Sequence, residues 1–195
     1  MWLGLALPGE ALQKLDAYAD LIVKWNRVYN LTAITEREKI VTHHLLDSLS
    51  VLPHLKGGRC ADIGSGAGLP GIPLAIARPD WTFTLVESST KKAAFMRQAA
   101  IELGLANVEV RAERVEDLKE DGFDLVISRA FSEMGEFAKL AARLCKKGGC
   151  LVAMKGKFPE KEISDLPSSV KAEQIIPLQV PGLAGERHLV IMKLE

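Results

Sequence analysis

The chain has 195 residues, of which 48% are hydrophobic and 26% are charged, as in an ordinary globular protein. This composition excludes a disordered, collagen-like or low-complexity chain, and the opening apolar run over residues 1–9 is far shorter than the roughly 20 residues that cross a bilayer. The 25 basic and 25 acidic residues cancel, so we do not expect the protein to coat nucleic acid through bulk charge.

The first quarter of the chain is predicted to be helical. Apolar residues recur at three- and four-residue steps after Pro8-Gly9, which is typical of one face of an amphipathic helix. Thr35 and Glu38 match a capping box, in which the two residues cap each other's amides, and a second helix is expected from there to Pro53. These helices would form a short N-terminal segment.

After Gly57-Gly58 the pattern changes, so we divide the chain into a helical extension over residues 1–56 and a domain over residues 57–195. Strands and helices then alternate, which predicts an α/β fold with a mostly parallel sheet covered on both faces. The expected strands are residues 59–63, 82–86, 108–110, 123–127 and 149–154, and the expected helices are residues 71–78, 90–103 and 133–144. Residues 174–179 and 188–193 are strand-like with no helix-length crossover between them, which predicts a C-terminal antiparallel hairpin.

A glycine-rich turn follows the first predicted strand, where residues 61–71 read ADIGSGAGLPG. Gly64, Gly66 and Gly68 let the backbone turn sharply and approach a ligand closely. The spacing differs from the GxGxxG of dinucleotide-binding proteins, and Asp62 would oppose a pyrophosphate but suits a cationic ligand such as S-adenosylmethionine. A buried aspartate that caps the turn is the structural alternative.

Acidic residues also follow the next two strands. Glu87 ends the second strand about twenty residues past the glycines, where a carboxylate can accept both hydroxyls of a ribose. Val115 and Glu116 follow the third strand, where an amide and a carboxylate can contact an adenine edge. These positions indicate adenosine but do not distinguish NAD from S-adenosylmethionine.

Charge and cysteine usage add local detail. Residues 139–161 hold seven basic residues and one acid, which indicates either solvated helix ends and loops or a rim that contacts phosphates. Cys60, Cys145 and Cys150 form no CxxC pair, so we expect reduced thiols, a cytoplasmic location and no membrane. The spacing of the four histidines and the thiols does not resemble a metal site, and no metal is expected.

Six stretches of the chain carry a resemblance to known proteins. They are residues 25–32 (WNRVYNLT), 44–48 (HLLDS), 62–76, 123–130 (FDLVISRA), 155–156 (KG) and 185–190 (GERHLV). With these motifs the chain resembles the class I methyltransferases, and more closely the bacterial 16S rRNA guanine-N7 methyltransferases, also called the glucose-inhibited division protein B family. The resemblance implies a Rossmann-like sheet with a C-terminal antiparallel hairpin, S-adenosylmethionine as the cofactor, and 16S rRNA or the small ribosomal subunit particle as the partner.

The same resemblance implies roles for individual residues. Gly64 and Leu69 would contact the cofactor at the first loop, Val115 and Glu116 would flank the adenine, and Arg129 would close the site beside the methionine end. We expect Arg129 to bind the cofactor carboxylate or the guanine O6, with a surface ion pair as the alternative. Asp62, Gly66, Gly68 and Glu87 complete the expected cofactor contacts.

The absence of two motifs narrows the set of possible methyl acceptors. Residues 128–131 read SRAF in place of the Asn/Asp-Pro-Pro-aromatic motif of exocyclic-amine methyltransferases, and no Pro-Cys pair offers a nucleophile for carbon 5 of a pyrimidine. Guanine N7 fits such a site as the methyl acceptor, because its lone pair attacks the methyl carbon without loss of a proton. The main task of the enzyme is then to align N7, the methyl carbon and the sulfur. We therefore expect Arg129 to act by positioning, with no general base.

Substrate contacts and the kind of activity stay open at this point. Lys155, Arg187 and His188 are candidate contacts to RNA, and His188 equally fits a packed strand histidine. The alternatives are a methyltransferase acting on another RNA site or on a small molecule, a dinucleotide-dependent oxidoreductase, and a non-catalytic S-adenosylmethionine-binding module that regulates RNA.

Overall fold

An open seven-stranded sheet forms the centre of the molecule. The computed structural model describes residues 4–129, 131 and 133–195, so Ala130 of one predicted motif lies outside the described residues. The strands are β1 Arg59–Ile63, β2 Thr82–Val86, β3 Val108–Arg111, β4 Phe123–Ser128, β5 Cys145–Lys155, β6 Val170–Pro177 and β7 His188–Leu194. Their order is β3-β2-β1-β4-β5-β7-β6. Strand β7 runs antiparallel to both of its neighbours, β5 and β6, and the other neighbouring pairs are parallel. The predicted mostly parallel sheet with a C-terminal antiparallel hairpin is confirmed.

The helices precede, connect and cover these strands. They are α1 Gly9–Tyr29, α2 Arg37–Ile40, α3 Asp47–Leu49, α4 Gly71–Ala77, α5 Thr90–Glu102, α6 Met134–Ala141 and α7 Glu160–Ser164. A π-helical segment, Val41–Leu46, joins α2 to α3. None of the helices in the described part of the chain is long and apolar enough to cross a membrane.

The strand side chains face two separate hydrophobic clusters. In β1, Cys60 belongs to the cluster that contains residues of α1, α4 and α5, whereas the next residue, Ala61, belongs to the cluster that contains residues of α6. Leu125 and Val126 of β4 divide in the same way. Because successive side chains of a strand point to opposite faces, both faces of the sheet are buried, and the strands have the nearly continuous apolar sequence of a covered parallel sheet.

The N-terminal helices pack directly on the sheet's own helices. Tyr18 and Ile22 of α1 are fully buried in the same cluster as Ile72 of α4 and Phe95 of α5. The Tyr18 hydroxyl donates a hydrogen bond to the carbonyl of Ala67 in the glycine-rich turn. Burial raises the pKa of Tyr18 well above its usual range, so this hydroxyl keeps its proton. The predicted helical segment is confirmed, and the division of the chain at residue 57 stays a prediction.

Two predictions about the second helix were wrong, one at its start and one at its end. Helix α2 begins at Arg37, and the preceding Glu36 makes no side-chain cap bond, so the capping box of Thr35 and Glu38 is not formed. The helix also ends earlier than expected, because Pro53 lies in a separate 3₁₀ turn.

The basic segment does not form one rim. Lys147 lies near the beginning of β5 and Lys155 at its end. Lys146 forms an ion pair with Asp124, and Arg143 binds main-chain carbonyls. The predicted alternative of a single phosphate-contacting rim over residues 139–161 is therefore wrong, because one strand carries its two ends to opposite edges of the sheet.

Removal of the Tyr18 hydroxyl tests the link between α1 and the glycine-rich turn. In Tyr18→Phe, the buried carbonyl of Ala67 loses this donor, so we expect the free energy of unfolding to fall by about 1–2 kcal/mol in urea denaturation. Tyr29→Phe is the matched control, because Tyr29 stacks on Trp25 and its hydroxyl has no hydrogen bond among the described residues. Equal stability of the two variants would contradict the role of this bond.

Candidate active site

The glycine-rich turn between β1 and α4 needs glycine at its bends. Gly64, Gly66 and Gly68 have φ angles of 70°, 59° and 84°, in the left-handed region that favours glycine. The amide of Gly64 donates to the carbonyl of Val86 at 2.9 Å, which holds the turn against the end of β2. A Cβ atom at Gly68 would lie 2.5 Å from the side chain of Ile72. The predicted sharp turn is thus present and closely packed.

Asp62 lies fully buried at the end of β1. Its Oδ2 accepts a hydrogen bond from the amide of Gly71 at 2.9 Å, so it caps the first turn of α4 as the structural alternative predicted. Its buried Oδ1 has no hydrogen-bond partner within residues 4–129, 131 and 133–195. Burial raises the pKa of Asp62 to about 7, against the opposing effects of the Gly71 amide, the Ser65 hydroxyl and the charge of Arg129.

Glu87 follows β2 and faces the same turn. Its Oε2 accepts from the amide of Gly66 at 2.9 Å, and its Oε1 accepts from the amide of Ser89 at 2.8 Å. These two bonds orient the carboxylate at a cavity of about 260 Å³, here called the Glu87 cavity, which Gly64, Val115 and Glu116 also line. The structure therefore brings four of the predicted cofactor residues together.

The Glu87 cavity is acidic. Among the residues that the structure describes, its lining includes Glu87, Glu113, Glu116 and Glu136 but only one basic residue, Arg114. Such a surface repels the two negative charges of a pyrophosphate and attracts a ligand with positive charge. The charge of the cavity thus favours a sulfonium ligand over a dinucleotide, in agreement with the sequence-based argument from Asp62.

The wall of the cavity opposite the glycine-rich turn is fixed by Arg143. Val115 and Glu116 lie in a 3₁₀ turn after β3, and Arg143 donates to the carbonyl of Leu118 at 2.7 Å and to that of Glu116 at 3.2 Å. Leu69, in contrast, buries its side chain in the hydrophobic core and does not line the cavity. Any contact between Leu69 and a ligand would come from its main chain.

Arg129 lies at the end of β4, beside the end of β1. The Ser128 hydroxyl donates to the carbonyl of Ile63 at 2.8 Å and so joins the two strand ends. The Nη1 atom of Arg129 lies 3.1 Å from Oδ2 of Asp47 and 3.3 Å from the carbonyl oxygen of His43. The side chain is 23% exposed, and the carboxylate that it meets is buried. Arg129 thus forms an ion pair, as the alternative predicted, although the pair is partly buried rather than at the surface, and contact of Arg129 with the cofactor or guanine stays a prediction.

Asp47 is the residue that the sequence analysis missed. Its Oδ1 lies 3.0 Å from Nε of Arg187, so one carboxylate joins Arg129 to Arg187. Asp47 lies inside the matched stretch 44–48, which is the available signal, because helical periodicity places it on the side of the predicted helix opposite the apolar stripe of Val41, Leu45 and Leu49.

Arg129 and Arg187 line a second cavity of about 340 Å³, here called the Arg129 cavity. Lys155 lines it too, with its Nζ 2.6 Å from Oε2 of Glu162 and 3.0 Å from the carbonyl oxygen of Phe131. His188 pairs with Lys155 in the β5–β7 register, but its ring faces the carbonyl of Gly156 and does not line the cavity. The structure thus groups two of the three predicted RNA contacts with Arg129.

His44 completes this group. It is 8% exposed, its Nε2 lies 2.8 Å from the Thr32 hydroxyl, and its Nδ1 faces Arg129 and the carbonyl of His43. Burial and, to a smaller extent, the charge of Arg129 lower the pKa of His44 to about 4. His44 is therefore neutral near pH 7.

The sequence is similar to one family of known methyltransferases over nearly its whole length. A family model described as rRNA small subunit methyltransferase G matches residues 11–190. The ribosomal RNA small subunit methyltransferase G of Nitrosospira multiformis is 53% identical, over 98% of this chain and 92% of the relative. The protein of the same name from Neisseria meningitidis is 50% identical, over 97% of this chain and 92% of the relative.

Solved structures share the fold at low sequence identity. An S-adenosylmethionine-dependent methyltransferase from Aquifex aeolicus is 17% identical with a TM-score of 0.61, over 80% of this chain and 93% of that chain. The O-methyltransferase TomG from Streptomyces achromogenes is 19% identical with a TM-score of 0.61, over 98% of this chain and 92% of that chain.

The sheet order, with the glycine-rich turn at the end of β1, is that of the class I methyltransferase fold. The full-length relatives narrow this class. The chain belongs to the rRNA small subunit methyltransferase G family.

The lowered pKa of His44 predicts a loss of stability in acid. Because the folded state holds the neutral ring, its stabilising effect is complete above the unfolded pKa of about 6.5 and falls by about 1.4 kcal/mol per pH unit between there and pH 4. We expect wild type to lose more unfolding free energy than His44→Gln between pH 7 and pH 4.5, measured by urea denaturation. His54→Gln, at an exposed position, controls for the removal of a histidine. Parallel pH curves for wild type and His44→Gln would contradict this prediction.

Proposed function

We propose that this enzyme transfers a methyl group from S-adenosylmethionine to N7 of a guanine in 16S rRNA of the small ribosomal subunit. The names of the relatives support small-subunit ribosomal RNA as the substrate. The structural observation that carries the proposal is a pair of cavities of opposite charge at the carboxyl edge of one sheet, where open α/β folds bind ligands.

The Glu87 cavity has the features needed to hold the cofactor. Asp62 is fully buried and does not line the cavity but supports the turn through the amide of Gly71, and the bends at Gly64, Gly66 and Gly68 keep side chains away from the turn. Glu87 would accept the ribose hydroxyls, and Val115 with Glu116 would flank the adenine. When bound there, S-adenosylmethionine supplies a methyl group on a positively charged sulfur.

The Arg129 cavity has the features needed to hold the acceptor nucleotide. Arg129, Lys155 and Arg187 provide three cations around it, and guanidinium groups form strong bonds to phosphate and to guanine O6. His188 would extend these contacts at the start of β7. Because ribosomal RNA is the proposed substrate, we place the activity in the cytoplasm, on RNA or on the small-subunit particle.

The groups around Arg129 favour an acceptor that has no proton to remove. Both oxygens of Asp47 face arginines, and both ring nitrogens of His44 have hydrogen-bond partners. These contacts hold both groups in place and disfavour their action as a general base. Guanine N7 attacks with its in-plane lone pair, so the work left to Arg129 is to orient the base for in-line transfer.

Identification of the methylated nucleoside tests this proposal. The protein is incubated with methyl-labelled S-adenosylmethionine and small-subunit particles that lack the modification, and the RNA is digested to nucleosides. We expect label in 7-methylguanosine at one site, with activity that declines as salt rises. Label in another nucleoside would contradict the N7 assignment, and label only on a small molecule would support the alternative substrate class.

The role of Glu87 is testable by ligand binding alone. Glu87→Gln removes the negative charge and turns one acceptor into a donor that faces a backbone amide, so we expect the dissociation constant for S-adenosylmethionine to rise about tenfold. Glu109→Gln is the matched control on the exposed surface of β3. Calorimetric titrations that gave one dissociation constant for both variants would remove Glu87 from the cofactor site.

A further inference from the structure

A single buried carboxylate lies between the two arginines of the Arg129 cavity. Asp47 exposes 4% of its side chain, with Oδ2 at 3.1 Å from Arg129 and Oδ1 at 3.0 Å from Arg187. The partners are 82 and 140 residues away along the chain. The contact therefore joins the N-terminal helical segment to the end of β4 and to the residue before β7.

Each arginine also has a second, main-chain partner. Nη1 of Arg129 lies 3.3 Å from the carbonyl oxygen of His43, and Nη1 of Arg187 donates to the carbonyl of Glu186 at 2.8 Å. A planar guanidinium with two fixed contacts has few orientations left. Asp47 moreover follows directly on the π-helical segment, a conformation that is frequent at functional sites.

The position of this carboxylate is unfavourable for RNA affinity. Two guanidinium groups and one carboxylate leave a net charge of +1, where the arginines alone would have +2. The carboxylate repels phosphate and occupies donors that could bind it. A site that served only to hold RNA tightly would gain from an uncharged residue at position 47, so the carboxylate has to serve another requirement.

We propose that Asp47 is a positioning residue for methyl transfer, which holds Arg129 and Arg187 in one geometry and whose negative charge lowers the affinity of the free enzyme for RNA. This role rests on the proposed function of the Arg129 cavity. Asp47 acts through the arginines and touches no reacting atom. Its contribution is the alignment of the acceptor base, and its effects on turnover and on RNA binding have opposite signs.

Replacement by asparagine separates these two effects. The amide of Asp47→Asn has one acceptor oxygen and one donor group, so it satisfies one guanidinium and faces the other with an N–H. The released arginine then samples several orientations, and we expect kcat to fall between about tenfold and a hundredfold. The site gains one net positive charge, so we expect the dissociation constant for RNA to fall about threefold at low salt and the difference to diminish at high salt.

The experiment measures both quantities on the same proteins. Turnover is measured on small-subunit particles at saturating S-adenosylmethionine, and RNA binding is measured by filter retention without the cofactor. Asp80→Asn is the matched control, because it removes one carboxylate from an exposed ion pair with Arg78, before the beginning of β2 at the opposite edge of the sheet. We expect that control to match wild type in both measurements.

Asp47→Glu provides a second variant in case the asparagine variant does not fold. It keeps the charge but displaces the carboxylate by one methylene, so we expect lower kcat with wild-type RNA affinity. Loss of turnover and of RNA binding in equal proportion would indicate a purely structural role and overturn the proposal. If the wild type is active and the Asp47 variants are equally active, the proposed role of Asp47 is overturned while the proposed function stands. If the wild type is inactive on these particles, the proposed function and the role of Asp47 are both overturned.

Discussion

The parallel pairing of β1 with β4 is the constraint on which the rest of the site depends. At this point the strand order reverses, so the chain leaves the two neighbouring strand ends in opposite directions and opens a crevice between them. The glycine-rich turn leaves the end of β1, and Arg129 leaves the end of β4. The bond from Ser128 to Ile63 keeps these two ends in register. Every other candidate group is placed relative to this pair.

Electrostatics divides the crevice into two parts with different ligand preferences. The Glu87 cavity gathers four glutamates, and the Arg129 cavity gathers two arginines and a lysine. Because Coulomb interactions are stronger where water is partly excluded, each part selects ligands by charge as well as by shape. A cationic methyl donor and a polyanionic acceptor are thereby favoured on different sides of one sheet edge.

The N-terminal helices are structural parts of this site as well as of the core. Through Tyr18, α1 holds a carbonyl of the glycine-rich turn, and through Asp47 the second helical stretch holds both arginines. These contacts bridge parts of the chain that are far apart in sequence. The helical segment therefore orients groups on both sides of the crevice, which the sheet by itself does not do.

Local sequence pattern was sufficient for the strands, the main helices and the terminal hairpin, because periodicity and turn residues act over a few positions. It was also sufficient to identify the glycine-rich turn and Glu87, since residues that directly follow parallel strands meet at one edge. Whether Lys147 and Lys155 lie together depended on tertiary structure. They belong to one basic cluster in the sequence, but β5 carries them to opposite edges of the sheet. The pairing of Asp47 with Arg129 and Arg187 depended on it still more, since no local signal identifies which distant cation neutralises a buried carboxylate.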